Sequence, residues 1–208
     1  MKNFLNFFLT IVWIIPGCTS DSGKVSETAI RDYVENEGTR ISMETQQLLG
    51  ATLKKTIEQK GIPEALKYCN LHAYPLVDSI MGRYSVTIKR ASMDTRNPSD
   101  IPDQDEMRII KAYRDSLSSG KTPAVFVEVS DKEVHYARPI LLNDNVCLNC
   151  HGKVGTEISN ENYQVIKALY PEDQATGHAL GDLRGIWSIR FKKPDVIQAL
   201  EEESSSSN

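Results

Sequence analysis

Apolar residues recur near helical spacing from Thr28 to about Gln59, where Ile30, Val34, Ile41, Leu48, Leu49, Leu53 and Ile57 sit among charged positions. That spacing predicts one long amphipathic helix, weakened locally by Gly38 and Gly50. Gly61 stops it, and Pro63-Glu64 opens a second helix on which Leu66, Cys69, Ala73 and Leu76 share a face, so that Cys69 points inward. Pro75 is expected to kink or end this second helix. Tyr84 to Ala91 alternates with period two and predicts a strand, followed by an irregular polar loop from Asp94 to Gln104. Asp103 to Leu117 carries Met107, Ile110 and Leu117 on one side, with Gly120 beyond its end, and predicts a helix. Strands over Ala124 to Val129 and Glu133 to Leu141 flank Ser130-Asp131-Lys132, a hairpin that leads straight into residue 147. A helix from about Glu161 to Leu169, a Gly-rich loop from Tyr170 to Arg184, a strand from Gly185 to Phe191 and a helix from Pro194 to Glu203 complete the body. Helices first, then antiparallel strands with helical insertions, imply an α+β domain. It spans residues 28–203, and the serine-rich tail Ser204 to Asn208 is expected to be disordered.

The N-terminus changes this picture. Lys2 precedes an apolar run from Phe4 to Ile15, too short to span a bilayer, which takes about 20 residues, but suited to an export signal. The run ends in Ile15-Pro16-Gly17-Cys18, which looks like a bacterial lipoprotein processing site, although Pro16 is an unusual occupant and simple secretory cleavage nearby is the alternative. Residues 1–17 then form the signal peptide and residues 18–27 a tether, with Cys18 acylated and holding the domain at a membrane surface in the periplasm or at the cell surface. A net charge of −4, with no basic stripe, argues against nucleic acid as a partner.

Cys147-Leu148-Asn149-Cys150-His151 carries the chemistry. Two thiols separated by two residues add across the vinyl groups of one porphyrin, and the histidine that follows falls beneath the iron, the attachment pattern of a c-type haem. Cys147 and Cys150 would form the thioethers and His151 the proximal bond. Structural zinc is the competing reading, but it needs four N or S ligands, and the sequence has no second CxxC pair. A short disulfide leaves His151 unexplained. Of the four cysteines, Cys69 is left over. In an oxidising compartment such a thiol is buried or bonded, and a buried cysteine is most often a small hydrophobe.

Several motifs resemble one bacterial family of c-type haem domains with a PAS-like fold. They are Ala65-Leu66-Lys67-Tyr68-Cys69, Lys89-Arg90-Ala91-Ser92 with Arg96-Asn97-Pro98, Tyr136-Ala137-Arg138-Pro139-Ile140, Cys147 to Gly152, and Tyr170-Pro171 through Gly181-Asp182-Leu183-Arg184-Gly185. The resemblance implies an antiparallel sheet flanked by helices, one covalent haem c, and a cysteine, here Cys69, facing the proximal histidine. Such domains occur as free exported proteins, notably in cyanobacteria, and as extracytoplasmic parts of sensor kinases. His72, three residues on from Cys69, is the main rival for that position. His135 reads as a surface or cross-strand residue, Met81 and Met93 as core, and His178 as exposed. The haem propionates call for arginine forks, for which Arg96 and Arg184 are candidates, with Asn97, Pro98 and Tyr136 expected to line the pocket.

A thiolate ligand favours ferric iron, and its release on reduction would open a binding position. The expected role is therefore a redox sensor or a sensor of small gases such as NO or CO, signalling through a partner protein. A monohaem electron-transfer cytochrome is the alternative. Enzymatic activity is not expected, because no distal acid–base group can be recognised in the sequence.

Overall fold

The computed structural model describes residues 25–206. The signal segment, Cys18 and most of the tether lie outside the described residues, as do residues 207 and 208. Four antiparallel strands form one sheet in the order β1-β4-β3-β2: β1 (Thr87–Ala91), β2 (Phe126–Val129), β3 (Glu133–Leu141) and β4 (Leu183–Lys192). Helix α1 (Glu27–Tyr84) lies on one face and α2 (Gln104–Ser118) on the other, and α3 (Asn145–His151), α4 (Asn160–Leu169) and α5 (Lys193–Ser206) complete the α+β domain. No helix among the described residues is long and apolar enough to cross a membrane.

Period-two alternation assigns the two faces of the sheet. Val134, Tyr136, Trp187, Ile189 and Phe191 meet Ile30, Val34 and Ile41 of α1. Ala91, Ala137 and Ile186 face Ile109, Ile110 and Tyr113 of α2. Helix α2 begins with a reciprocal cap, Asp103 accepting from the Glu106 amide while Glu106 accepts from the Asp103 amide.

Helix α1 is two helical segments joined at Gly61, whose φ of 81° and ψ of 173° break the ladder at the residue expected to stop it. Of the two outcomes expected at Pro75, a kink or an end, the second does not occur: the helix runs on to Tyr84. Proline deprives the carbonyl four residues earlier of its donor, but that residue, Leu71, is exposed to water. Beyond Pro75, Val77 and Ile80 continue the buried stripe of Ala73. Burying such side chains is worth about 1.5–3 kcal/mol each, enough to offset a cost for proline of about 3 kcal/mol. The first strand accordingly starts at Thr87 rather than Tyr84. The serine tail also departs from expectation, since α5 continues through Ser206, with Ser204 and Ser205 hydroxyls bonded to the Glu201 carbonyl.

His135 is buried and cross-strand, its Nε2 lying 2.8 Å from Ser188 Oγ while Nδ1 has no partner. Burial, reinforced by the Arg190 cation, lowers its pKa below the ordinary 6.5. A second proton would be enclosed with nothing to accept it. Because the folded-state pKa is the lower one, stability is complete above about pH 6.5 and falls as pH drops through the interval below it, where the unfolded chain takes up a proton that the fold refuses. Replacing both partners (His135→Leu with Ser188→Ala) should flatten the pH dependence of the urea midpoint between about pH 6.5 and 5. An unchanged slope would assign the acid sensitivity to other groups.

Candidate functional site

The CxxCH motif forms helix α3, a stretch after the hairpin to which the sequence pattern assigns no element. Asp144 caps it by accepting from the Val146 amide, and Lys54 binds that carboxylate at 2.9 Å, tying the helix to the first segment of α1. On this helix of about two turns, positions 147, 150 and 151 share a face. All three side chains border one cavity of about 440 Å³, within the span of about 300–1,000 Å³ usual for small-molecule and cofactor sites. Leu49, Gly50 and Leu53 line it from the first segment of α1, Leu66, Cys69 and Ala73 from the second, and Trp187 and Gly185 from the sheet. The inward stripe thus brings Cys69 to the same cavity as the motif.

His151 is half-buried and borders this cavity. Its Nδ1 is 2.8 Å from the Ala175 carbonyl, which can only accept; donation along this shorter contact puts the proton on Nδ1, leaves Nε2 its lone pair, and bars Nδ1 from accepting the Arg184 Nε–H that points at it from 3.2 Å. The loop that supplies this carbonyl is pinned to the motif by two further bonds, from the Gly177 and His178 amides to the carbonyls of Gly152 and His151. Burial, with the Arg184 and Arg96 cations adding to it, holds the His151 pKa well below the imidazole range and keeps the ring neutral. Burial also pushes the Cys150 thiol up to about 11 and raises Cys69.

Arg184 stands beside the same ring, its Nε 3.2 Å from Nδ1. Its Nη1 donates to Ser92 Oγ at 2.7 Å and to the Asp94 carbonyl at 3.0 Å. These partners are neutral, and no carboxylate among the described residues stands within 4.0 Å of the guanidinium. Burial and the Arg96 and Arg90 cations bring its pKa down to about 10. Arg184 therefore brings to the cavity an enclosed positive charge with no carboxylate in contact, Asp100 and Asp173 acting on it only from a distance, and an anionic group would relieve it. Arg90, also on the cavity wall, adds a second cation, 3.9 Å from Asp100.

The other expected pocket residues divide. Arg96 borders the cavity, yet its fork is engaged: Nε binds Asp173 at 2.7 Å and Nη2 the Cys150 carbonyl at 2.6 Å. It clamps the loop to the motif. Asn97 lines the cavity while its Oδ1 caps the short 3-10 turn Pro98–Asp100, in which Pro98 sets the backbone and does not border the cavity. Tyr136 is displaced from the expected place: it is fully buried in the core, its hydroxyl 3.0 Å from Thr39 Oγ1, because the alternation of β3 aims it under Gly38 of α1. Met81 and Met93 pack in the two cores as expected, and His72's side chain lies outside the described residues. His178 is not exposed as expected, since its side chain is 11% accessible, lying edge-on to His151 at 6.4 Å, and it does not border the cavity. Among the described residues no three His, Cys, Asp or Glu side chains gather as a metal-ligand set, and Cys69, Cys147 and Cys150 are free thiols.

The residues that sequence reasoning missed are Arg90, Trp187 and Asp173. Period-two spacing from Ile88 marks Arg90 as facing α1, but nothing local marks Asp173, which meets Arg96 across 77 residues of chain. No curated protein matches the sequence. A solved structure, described as the crystal structure of the cyanobacterial heme-protein Tll0287, is 22% identical, with a TM-score of 0.48 over 58% of this chain and 71% of that one. The model of the Tll0287-like family matches residues 24–192, from the start of α1 through the last strand and including every cavity residue, and the chain belongs to that family.

Proposed function

We propose that the chain is an exported lipoprotein carrying one covalent haem c, and that it serves as a redox or small-gas sensor module rather than an enzyme. The observation that carries this reading is the convergence of Cys147, Cys150, His151 and Cys69 on one cavity. The residues present fit the group. The walls are mainly apolar, Gly50 faces the cavity with nothing within 4 Å of where a Cβ would stand, and Arg184 supplies the unpaired guanidinium that a propionate carboxylate would satisfy. When bound, the haem supplies a redox-active iron. Cys147 and Cys150 tether it, His151 offers Nε2 in the tautomer set by Ala175, and Cys69 offers sulfur from the second segment of α1. Export through the N-terminal signal, with Cys18 anchored to lipid, accords with thioether attachment outside the cytosol.

Optical and EPR spectra recorded through a potentiometric titration of the exported protein, followed by CO addition, test the sensing role. The sensor reading predicts that the Cys69-dependent spectrum is lost on reduction and that CO then binds. Reversible reduction with unchanged ligands and no CO binding would instead make the protein an electron-transfer cytochrome with a redox partner.

A further inference from the structure

We propose that Asp173 and Arg96 are a positioning pair for His151, setting the strength of its hydrogen bond to Ala175 and, through it, the reduction potential of the site; the inference rests on the haem reading above. The pair is almost wholly enclosed, with side-chain exposures of 0% for Asp173 and 10% for Arg96 and an Nε to Oδ1 distance of 2.7 Å. Its contacts converge on the acceptor of the histidine. Asp173 Oδ1 also takes the Ala175 amide at 3.3 Å, folding the loop so that the Ala175 carbonyl turns to Nδ1. Arg96 Nη2 lies 3.4 Å from that same carbonyl and donates at 2.6 Å to the carbonyl of Cys150, the residue before His151. One guanidinium thus touches both the acceptor and the backbone of the group it orients.

Stability alone does not explain the pair. A buried ion pair is frequently matched or bettered by apolar residues of the same volume. This one also leaves Asp173 Oδ2 buried with no donor among the described residues, a further cost. What the carboxylate does accomplish is to neutralise the one cation that competes with His151 for the Ala175 carbonyl. Without that neutralisation, Arg96 draws on the carbonyl more strongly, the Nδ1–H bond weakens, and the ring donates less to a metal on Nε2. The site also becomes more positive. Both changes disfavour the oxidised state.

Potentiometry and ferric EPR on full-length exported protein test this. Asp173→Asn should raise the potential, shifting the oxidised-to-reduced ratio at a fixed poise by about tenfold, which is about 59 mV for one electron. Arg96→Gln should lower it, and the double variant, with neither charge, should return close to wild type with restored g-values. Unmoved potentials and g-values in variants that hold stoichiometric haem would overturn the proposal, as would loss of haem from the double variant, which would make the pair purely structural. Wild-type protein lacking covalent haem would instead defeat the haem reading itself, so the two failures are distinct.

Discussion

Exported protein with Cys147→Ala and Cys150→Ala will leave no haem-stained band after denaturing electrophoresis, whereas wild type will stain. Denaturation releases any porphyrin held only by packing or by iron ligands, so a band that survives reports carbon–sulfur bonds alone. The helical face of α3 turns both thiols to the cavity, and on the present account no other described thiol forms a thioether. Cys69→Ala is the control, because its role is ligation: that protein will stain like wild type while its visible spectrum changes. Loss of stain in Cys69→Ala with retention in the double variant would reverse the roles assigned to the three cysteines.

Gly38→Ala will destabilise the domain by about 3 kcal/mol, lowering Tm by roughly 10 °C. A Cβ at position 38 would stand 2.5 Å from two ring carbons of Tyr136 and 2.8 Å from a third, well inside contact distance. Neither side can give way cheaply. Tyr136 is fully enclosed and hydrogen-bonded to Thr39, and the helix is held on both flanks by buried Val34 and Ile41. Chemical denaturation of purified protein measures the effect, and a change under about 0.5 kcal/mol, the level of an ordinary surface substitution, would show that the α1–sheet spacing is not the one described.

Most of the fold was legible because its signals are local. The bounds of β3 follow from alternation, and the break at Gly61 follows from the glycine and the proline after it. The inward stripe on the second segment also placed Cys69 correctly on a buried face. Pro75 misled because a local cost was outweighed by burial of Val77 and Ile80, which depends on a sheet assembled from residues much further along the chain. Helix α3 was missed for the opposite reason: seven residues carry too little pattern to announce a helix, and its cap at Asp144 is also what a turn would contain.

The site was legible in its chemistry but not in its wiring. The three groups that the motif named line one cavity, and Arg184, singled out as a fork for the propionates, lines it too. Arg96 was singled out too, but its fork is spent on partners 54 and 77 residues away, distances over which one sequence holds no information. Tyr136 shows the limit of a shared motif: the Tyr136 to Ile140 stretch pointed to the pocket, but nothing in it tells whether that part of β3 lies beneath the filled core or beneath the cavity.

The most direct measurement is the intact mass of wild-type protein exported by a host with haem-attachment machinery, taken under denaturing conditions beside its visible spectrum. The account predicts a coloured protein whose mass is that of the processed chain plus one haem. A colourless protein at the mass of the bare processed chain would contradict it.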